Sequence, residues 1–107
     1  MDCVFCKIIA GEIPAQTVGE NSQAVAFKDI NPAAKVHILV VPKQHTKNIS
    51  ELTDDAVLSG LFALAREVAA KTTIGEFRLQ VNTGASEGQS VFHTHLHILS
   101  GSPIGAA

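Results

Sequence analysis

The stretch His93-Thr94-His95-Leu96-His97-Ile98-Leu99 places an imidazole at every second residue, using three of the five histidines in the 107-residue chain. A period of two is strand geometry. The spacing therefore predicts one strand with all three rings on one face and Phe92, Thr94, Leu96 and Ile98 on the other, against a core. At ~3.3 Å per residue, His93 and His97 lie ~13 Å apart along such a strand. One metal ion with nitrogen ligands at ~2 Å chelates neighbours in that row but not all three, so at least one ring has other chemistry to do. The plain alternative is a solvated polar strand face, and three histidines in five residues argue against it.

The segment before that strand, Asn82-Thr83-Gly84-Ala85-Ser86-Glu87-Gly88-Gln89-Ser90, is rich in glycine and hydrogen-bond donors. It is not a P-loop, because the Gly-Lys-Ser/Thr ending is missing and a strand follows in place of a helix. By composition alone it is an ordinary hairpin loop. Leading into a histidine row, it reads as a phosphate cradle, with backbone amides near Gly88 and the side chains of Gln89 and Ser90 as donors.

The rest of the chain reads as mixed α and β. Residues 3–10 suggest a short helix stopped near Gly11. Thr17–Glu20 and Ala24–Asp29 suggest a hairpin around Asn21-Ser22, and Val36–Val41 a β-branched strand halted by Pro42. Thr53 or Asp54 caps a helix running to about Thr72, whose stripe Val57, Leu61, Leu64 and Val68, broadened by Leu58, Ala65 and Ala69, reads as core. Phe77, Leu79 and Val81 alternate with Arg78, Gln80 and Asn82, predicting a half-buried strand. Short turns and one long helix favour an α+β fold with a five-stranded antiparallel sheet. The length suits one domain over residues 1–107, and 46% hydrophobic composition supplies a modest core. A net charge of −2 leaves no basic footprint for nucleic acid. No run approaches the ~20 apolar residues of a membrane span, and the N-terminus lacks a signal-like stretch, so a cytoplasmic protein is expected.

His93 to Leu99 fits the pattern His-φ-His-φ-His-φ-φ except for Thr94, and closely resembles the signature of the histidine-triad (HIT) nucleotide-binding proteins. Cys3–Pro14, Ala26–Pro32, His37–His45 and Gly88–His93 resemble further blocks of that family in the same order. The small nucleoside phosphoramidase branch is the most similar. The resemblance implies a five-stranded HIT-like sheet, extended across a homodimer. It implies a purine nucleotide or nucleotide conjugate as ligand, and hydrolysis at its α-phosphate through a nucleotidyl-histidine. His95 maps onto the nucleophile. His97 maps onto a contact to phosphoryl oxygens or leaving group, and His37 onto a residue that orients the triad or relays protons. Without the family match, His37 would be read as a histidine on the sheet's inner face. Asn82, Gly88, Gln89 and Ser90 offset phosphate charge. Asp29 accepts from ribose hydroxyls with Ile30 beside it, and Val4, Phe5, Ile8, Phe27 and Leu39 surround the purine. Read as plain sequence, those five apolar residues are core. No magnesium is implied, because a neutral imidazole is already a nucleophile.

Cys3 and Cys6 form a C-x-x-C open to three readings: a redox pair, half a zinc site, or two inert thiols. The βαβ context of a thioredoxin-like pair is missing. The resemblance implies structural zinc held by Cys3, Cys6, His45 and His93. A metal-bound His93 cannot shuttle protons freely, which leaves catalysis to the other members of the set His37, His93, His95 and His97. Three alternatives stand beside phosphoramidate hydrolysis: a nucleotide-binding scaffold with little turnover, a dinucleoside polyphosphate hydrolase, and a hydrolase with catalytic zinc on His93 and His95. The chain departs from the family after Leu99. The stretch 100–107 lacks the common glycine pair, and the chain has no tryptophan.

Overall fold

The computed structural model describes residues 3–101; the tail departure noted above lies, from residue 102 on, outside the described residues. The elements are α1 (Val4–Ile9), β1 (Thr17–Glu20), β2 (Ala24–Lys28), β3 (Val36–Pro42), α2 (Asp55–Thr72), β4 (Arg78–Gln80) and β5 (Leu96–Ser100). The five strands form one antiparallel sheet in the order β1-β2-β3-β5-β4.

Strand alternation divides the apolar residues between two faces. Ala24 and Ala26 of β2, Ile38 and Val40 of β3, and Leu96 and Ile98 of β5 pack under α2 with Val57, Leu61, Leu64, Ala65, Val68 and Ala69. Asp54 starts that helix by accepting the N–H groups of Ala56 and Val57 through Oδ1. Burying each Leu or Val side chain on this face contributes roughly 1.5–3 kcal/mol, so α2 and three strands supply most of the apolar stabilisation. Gly60 sits in the helix interior, where glycine ordinarily costs up to ~1 kcal/mol. A Cβ there would lie 2.6 Å from the Cβ of Gln23, so glycine lets the β1–β2 turn dock on the helix, and Asn21 Nδ2 donates to the Gly60 carbonyl at 2.9 Å.

The opposite face carries Val25 and Phe27 of β2 and Leu39 and Val41 of β3, with Cys3 and Phe5 from the N-terminal segment. Among the described residues the six-residue α1 is the one helix that covers it, with Val91 packed at its margin. Cys3 caps α1, its Sγ accepting the Cys6 N–H at 3.2 Å, and Gly11 leaves the helical turn at φ 79°.

Three expectations are corrected. The regular strand begins at Leu96, so His97 alone of the three histidines is a strand residue, and His93 and His95 lie in the irregular segment leading into it. Thr94, Leu96 and Ile98 are buried as predicted, but Phe92 is 43% exposed, because the backbone bends over residues 91–93 and its ring lies beneath the Lys47 ammonium, 5.6 Å from the ring centre. The Phe77–Asn82 alternation yields a strand over Arg78–Gln80 alone, and Phe77, Leu79 and Val81 are exposed. That strand is at the sheet edge, paired only with β5, so among the described residues nothing covers its apolar side chains. Among the described residues, no helix is long and apolar enough to cross a membrane.

Candidate functional site

The partly covered sheet face opens into a cleft of about 870 Å³. Val4, Phe5 and Ile8 of α1 form one wall, with Phe27 and Leu39 from the sheet beneath, while Asp29 and Ile30 follow β2 at the rim. His95, His97 and Ser90 close the far side. All ten were expected at a ligand site. The sequence reading missed Ile13, Pro14, Ala15, Gln16, Lys28, Asn31 and Val91, which also line the cleft. Most of these are loop residues without periodic signal, and the Pro14 and Pro32 punctuation around them was the sole hint of a turn.

His95 is buried, and its Nδ1 lies 2.7 Å from the carbonyl oxygen of His93. A carbonyl only accepts, so the proton is on Nδ1 and Nε2 keeps its lone pair. Phe5 meets this ring edge-on at 5.2 Å.

The remaining histidines form a directed chain. The Ala33 N–H donates to His37 Nδ1 at 2.9 Å, so the His37 proton is on Nε2, which lies 2.9 Å from His97 Nδ1. His97 therefore accepts at Nδ1 and carries its own proton on Nε2, which is buried without a hydrogen-bond partner among the described residues. The two adjacent rings, 4.9 Å apart at their centres, thus present opposite faces of the same chemistry: a lone pair on His95 and an N–H on His97.

Burial lowers the pKa of His95, and lowers that of His97 to about 4, with repulsion from His95 and His37 adding to the second. Both rings are neutral at physiological pH. Because each binds a proton more weakly in the folded chain than an ordinary imidazole does, at about 6.5, the unfolded chain takes up more protons as the pH falls below that value. Stability contributed by these rings is therefore complete above pH ~6.5 and is lost progressively toward pH ~4. Melting temperature measured from pH 8 to 4 is expected to fall along the acid limb. A rise between pH 6.5 and 5 would contradict the assignment.

His93, expected among the catalytic histidines, does not reach the cleft. It is fully buried; Nε2 lies 2.8 Å from the Pro42 carbonyl, and Nδ1 turns to Cys3 Sγ at 3.3 Å and Cys6 Sγ at 3.5 Å. His45 Nδ1 lies 3.1 Å from His93 Nδ1 and 3.3 Å from Cys6 Sγ. Ligands at about 2.0–2.3 Å on a tetrahedron stand about 3.3–3.8 Å apart, so these four residues are spaced to hold one metal ion. The Pro42 carbonyl fixes the His93 proton on Nε2 and leaves the Nδ1 lone pair for the metal. Burial and the neighbouring Cys3 thiol push the Cys6 pKa up to about 11, so the thiolate form needs a bound cation.

The expected phosphate donors divide. Ser90 is exposed at the cleft. Gln89 is 3% exposed, and its side chain is committed elsewhere: Nε2 donates to the carbonyls of Lys47 at 2.7 Å and Val91 at 3.1 Å, and Oε1 accepts the Gly84 N–H at 2.9 Å. The backbone N–H groups of Gly88 and Gln89 bond to Ala85 and Gly84. Gly88 supplies a turn at φ 94°, and Asn82 sits beside it, off the cleft wall, accepting from Gln80 at 3.3 Å. Gly88 and Gln89 thus shape the loop that delivers Ser90. Such a role leaves no trace in residue type, since a glutamine that anchors a loop and one that binds phosphate look alike.

A family model described as HIT domain matches residues 10–104. An uncharacterized HIT-like protein of Synechocystis sp. is 51% identical over 106 residues, covering 96% of this chain and 93% of that protein. Among solved structures, a HIT family hydrolase from Clostridium thermocellum superposes with a TM-score of 0.91 at 41% identity, over 99% of this chain and 96% of that one. A histidine triad nucleotide-binding protein from Candida albicans superposes with a TM-score of 0.82 at 29% identity, over 99% of this chain and 86% of that one.

Proposed function

The chain belongs to the HIT family, and from that membership we propose that it is a single-domain purine nucleotide-binding hydrolase. It acts on the α-phosphate of nucleotide conjugates of the adenosine 5′-phosphoramidate type, through a covalent nucleotidyl-histidine. The observation that carries this reading is the pairing at the cleft: His95 with its proton held on Nδ1 by the His93 carbonyl, beside His97 with an unpartnered N–H at Nε2.

The steps follow from those two nitrogens. The purine enters between Phe5, Ile8, Phe27 and Leu39, and the ribose hydroxyls donate to Asp29 at the rim. His95 Nε2 attacks the α-phosphorus and forms a P–N bond. The bond to the leaving group breaks with its electron pair on the departing atom, which takes a proton from solvent as it leaves through the open side of the cleft. The His97 N–H and the Ser90 hydroxyl hydrogen-bond the oxygens on which charge gathers. Water then hydrolyses the nucleotidyl-histidine and restores the ring.

Cys3, Cys6, His45 and His93 would hold zinc, which supplies a crosslink between α1, the segment after β3 and the triad segment. A closed four-ligand shell has no position for an activated water, so the site is structural. The exposed apolar side chains on the unpaired edge of β4 support sheet extension across a homodimer.

The reading is tested by brief incubation with adenosine 5′-phosphoramidate, acid-free quenching, intact mass and peptide mapping at neutral or higher pH. A mass increase of one adenylyl group on the peptide containing His95, with release of ammonia, is the expected result. Turnover without any adduct under rapid quenching, or no turnover, would count against the covalent route.

A further inference from the structure

Asp29 stands where the ligand's sugar and the histidine chain meet. Its carboxylate is divided between two partners: Oδ1 accepts the Asn31 N–H at 2.8 Å, and Oδ2 lies 3.3 Å from His37 Nε2. That same Nε2 lies 2.9 Å from His97 Nδ1. Since the Ala33 N–H occupies His37 Nδ1, His37 has one imidazole hydrogen, on Nε2; it is hydrogen-bonded to His97 Nδ1, and the Asp29 carboxylate stands by at 3.3 Å as a second, longer acceptor. The carboxylate lines the cleft and its side chain is 20% exposed, so a ligand hydroxyl can reach the competing oxygen.

We propose that Asp29 is a positioning residue that couples sugar recognition to the reacting phosphate. A ribose hydroxyl donated to Oδ2 occupies the competing acceptor and leaves the His37 N–H to His97. His97 Nδ1 is then held as an acceptor, and its proton stays on Nε2, facing the phosphate. Without the hydroxyl, the carboxylate pulls on the same hydrogen, and the His37–His97 hydrogen bond holds the His97 tautomer less firmly. The sugar is therefore recognised in the rate as well as in the affinity. This inference rests on the hydrolase reading above. The same geometry argues against the obvious competing use of these residues. Asp29, His37 and His97 place three potential ligand atoms within 4.8 Å of one another, yet His37 Nε2 cannot offer a lone pair to a metal while its Nδ1 accepts the Ala33 N–H.

The test compares kcat and KM for adenosine 5′-phosphoramidate and its 2′,3′-dideoxy counterpart, on the wild type and on Asp29→Asn. Asparagine keeps Oδ1 for the Asn31 N–H, so the turn survives the substitution. In the wild type, removing the hydroxyls is expected to lower kcat about three- to tenfold, the worth of one hydrogen bond, in addition to raising KM. In Asp29→Asn the two substrates are expected to share one kcat to within about twofold, because the competing anion is gone. A second measurement needs neither turnover nor the variant. The His37 imidazole N–H resonance in histidine-labelled wild type is expected to move on saturation with AMP and to stay in place on saturation with 2′,3′-dideoxy-AMP. A sugar effect confined to KM, a kcat ratio that survives in Asp29→Asn, or equal resonance shifts with both nucleotides overturns the coupling and leaves the hydrolase reading standing. Turnover of neither substrate overturns the hydrolase reading and the coupling with it.

Discussion

Replacing His95 with alanine is expected to lower phosphoramidate turnover by about a thousandfold or more while AMP still binds. The substitution removes the one cleft nitrogen with an open lone pair, and no neighbour replaces it. His97 Nδ1 is engaged by His37, its Nε2 carries a proton, and both His93 nitrogens face away from the cleft. Affinity for the nucleotide rests on other groups: the apolar walls, Asp29 and Ser90 remain. The check is kcat from amine release beside AMP affinity from calorimetry. Retention of more than about a tenth of wild-type kcat would rule out His95 as a covalent nucleophile.

The second large effect is on stability. A Cys3→Ser/Cys6→Ser variant is expected to lose one zinc per chain and to melt at a much lower temperature. The four residues are 3, 6, 45 and 93, so a metal held there would tie together segments that no continuous element joins. Loss of even ~3 kcal/mol corresponds to roughly 12–24 °C in a domain of about this size, and binding energies at structural zinc sites exceed that. Activity per folded molecule, measured well below the variant's melting point, is expected to persist, since His95 and His97 lie outside the ligand set. Elemental analysis of fresh, chelator-free wild type decides the premise: no zinc there, and the site is misassigned. If zinc is present and its removal stops the chemistry without unfolding, the metal acts in catalysis and His95 loses its role.

The parts of the fold legible in the sequence are those where period and burial coincide. Ala24, Ala26, Ile38 and Val40 face α2, while Val25, Phe27, Leu39 and Val41 lie on the opposite face, as strand alternation requires. The α2 stripe packs as its spacing implies, Leu58 at its margin included. Period failed where burial is decided by something other than the strand itself. Phe77, Leu79 and Val81 alternate correctly and are still exposed, because burial at an edge depends on what lies beyond the edge. His93 and His95 share the alternation of His97 without sharing its strand, since the bend over residues 91–93 turns the first imidazole toward the cysteines and leaves the second at the cleft. The residue types of the site were legible, and several of their assignments were not. Which nitrogen of His37, His93 and His95 carries the proton is set by three backbone partners, Ala33 N–H, Pro42 C=O and His93 C=O, and backbone groups have no signature in sequence. Gln89 is the sharpest case, its amide turned inward to the Lys47 and Val91 carbonyls.

The sheet is roofed unequally, with eighteen helical residues on one face and six on the other. A bound purine would lie against Phe27 and Leu39, where a second helix would lie in a more evenly layered protein. The ligand would then be part of the architecture as well as its cargo. Occupancy would complete the hydrophobic layer, and a nucleotide at a hundred times its dissociation constant would raise the unfolding free energy by about 2.7 kcal/mol, a large share of the total for so small a chain. The working stability of the protein would then follow the concentration of the nucleotides around it, and its lifetime against proteolysis would become a readout of that pool.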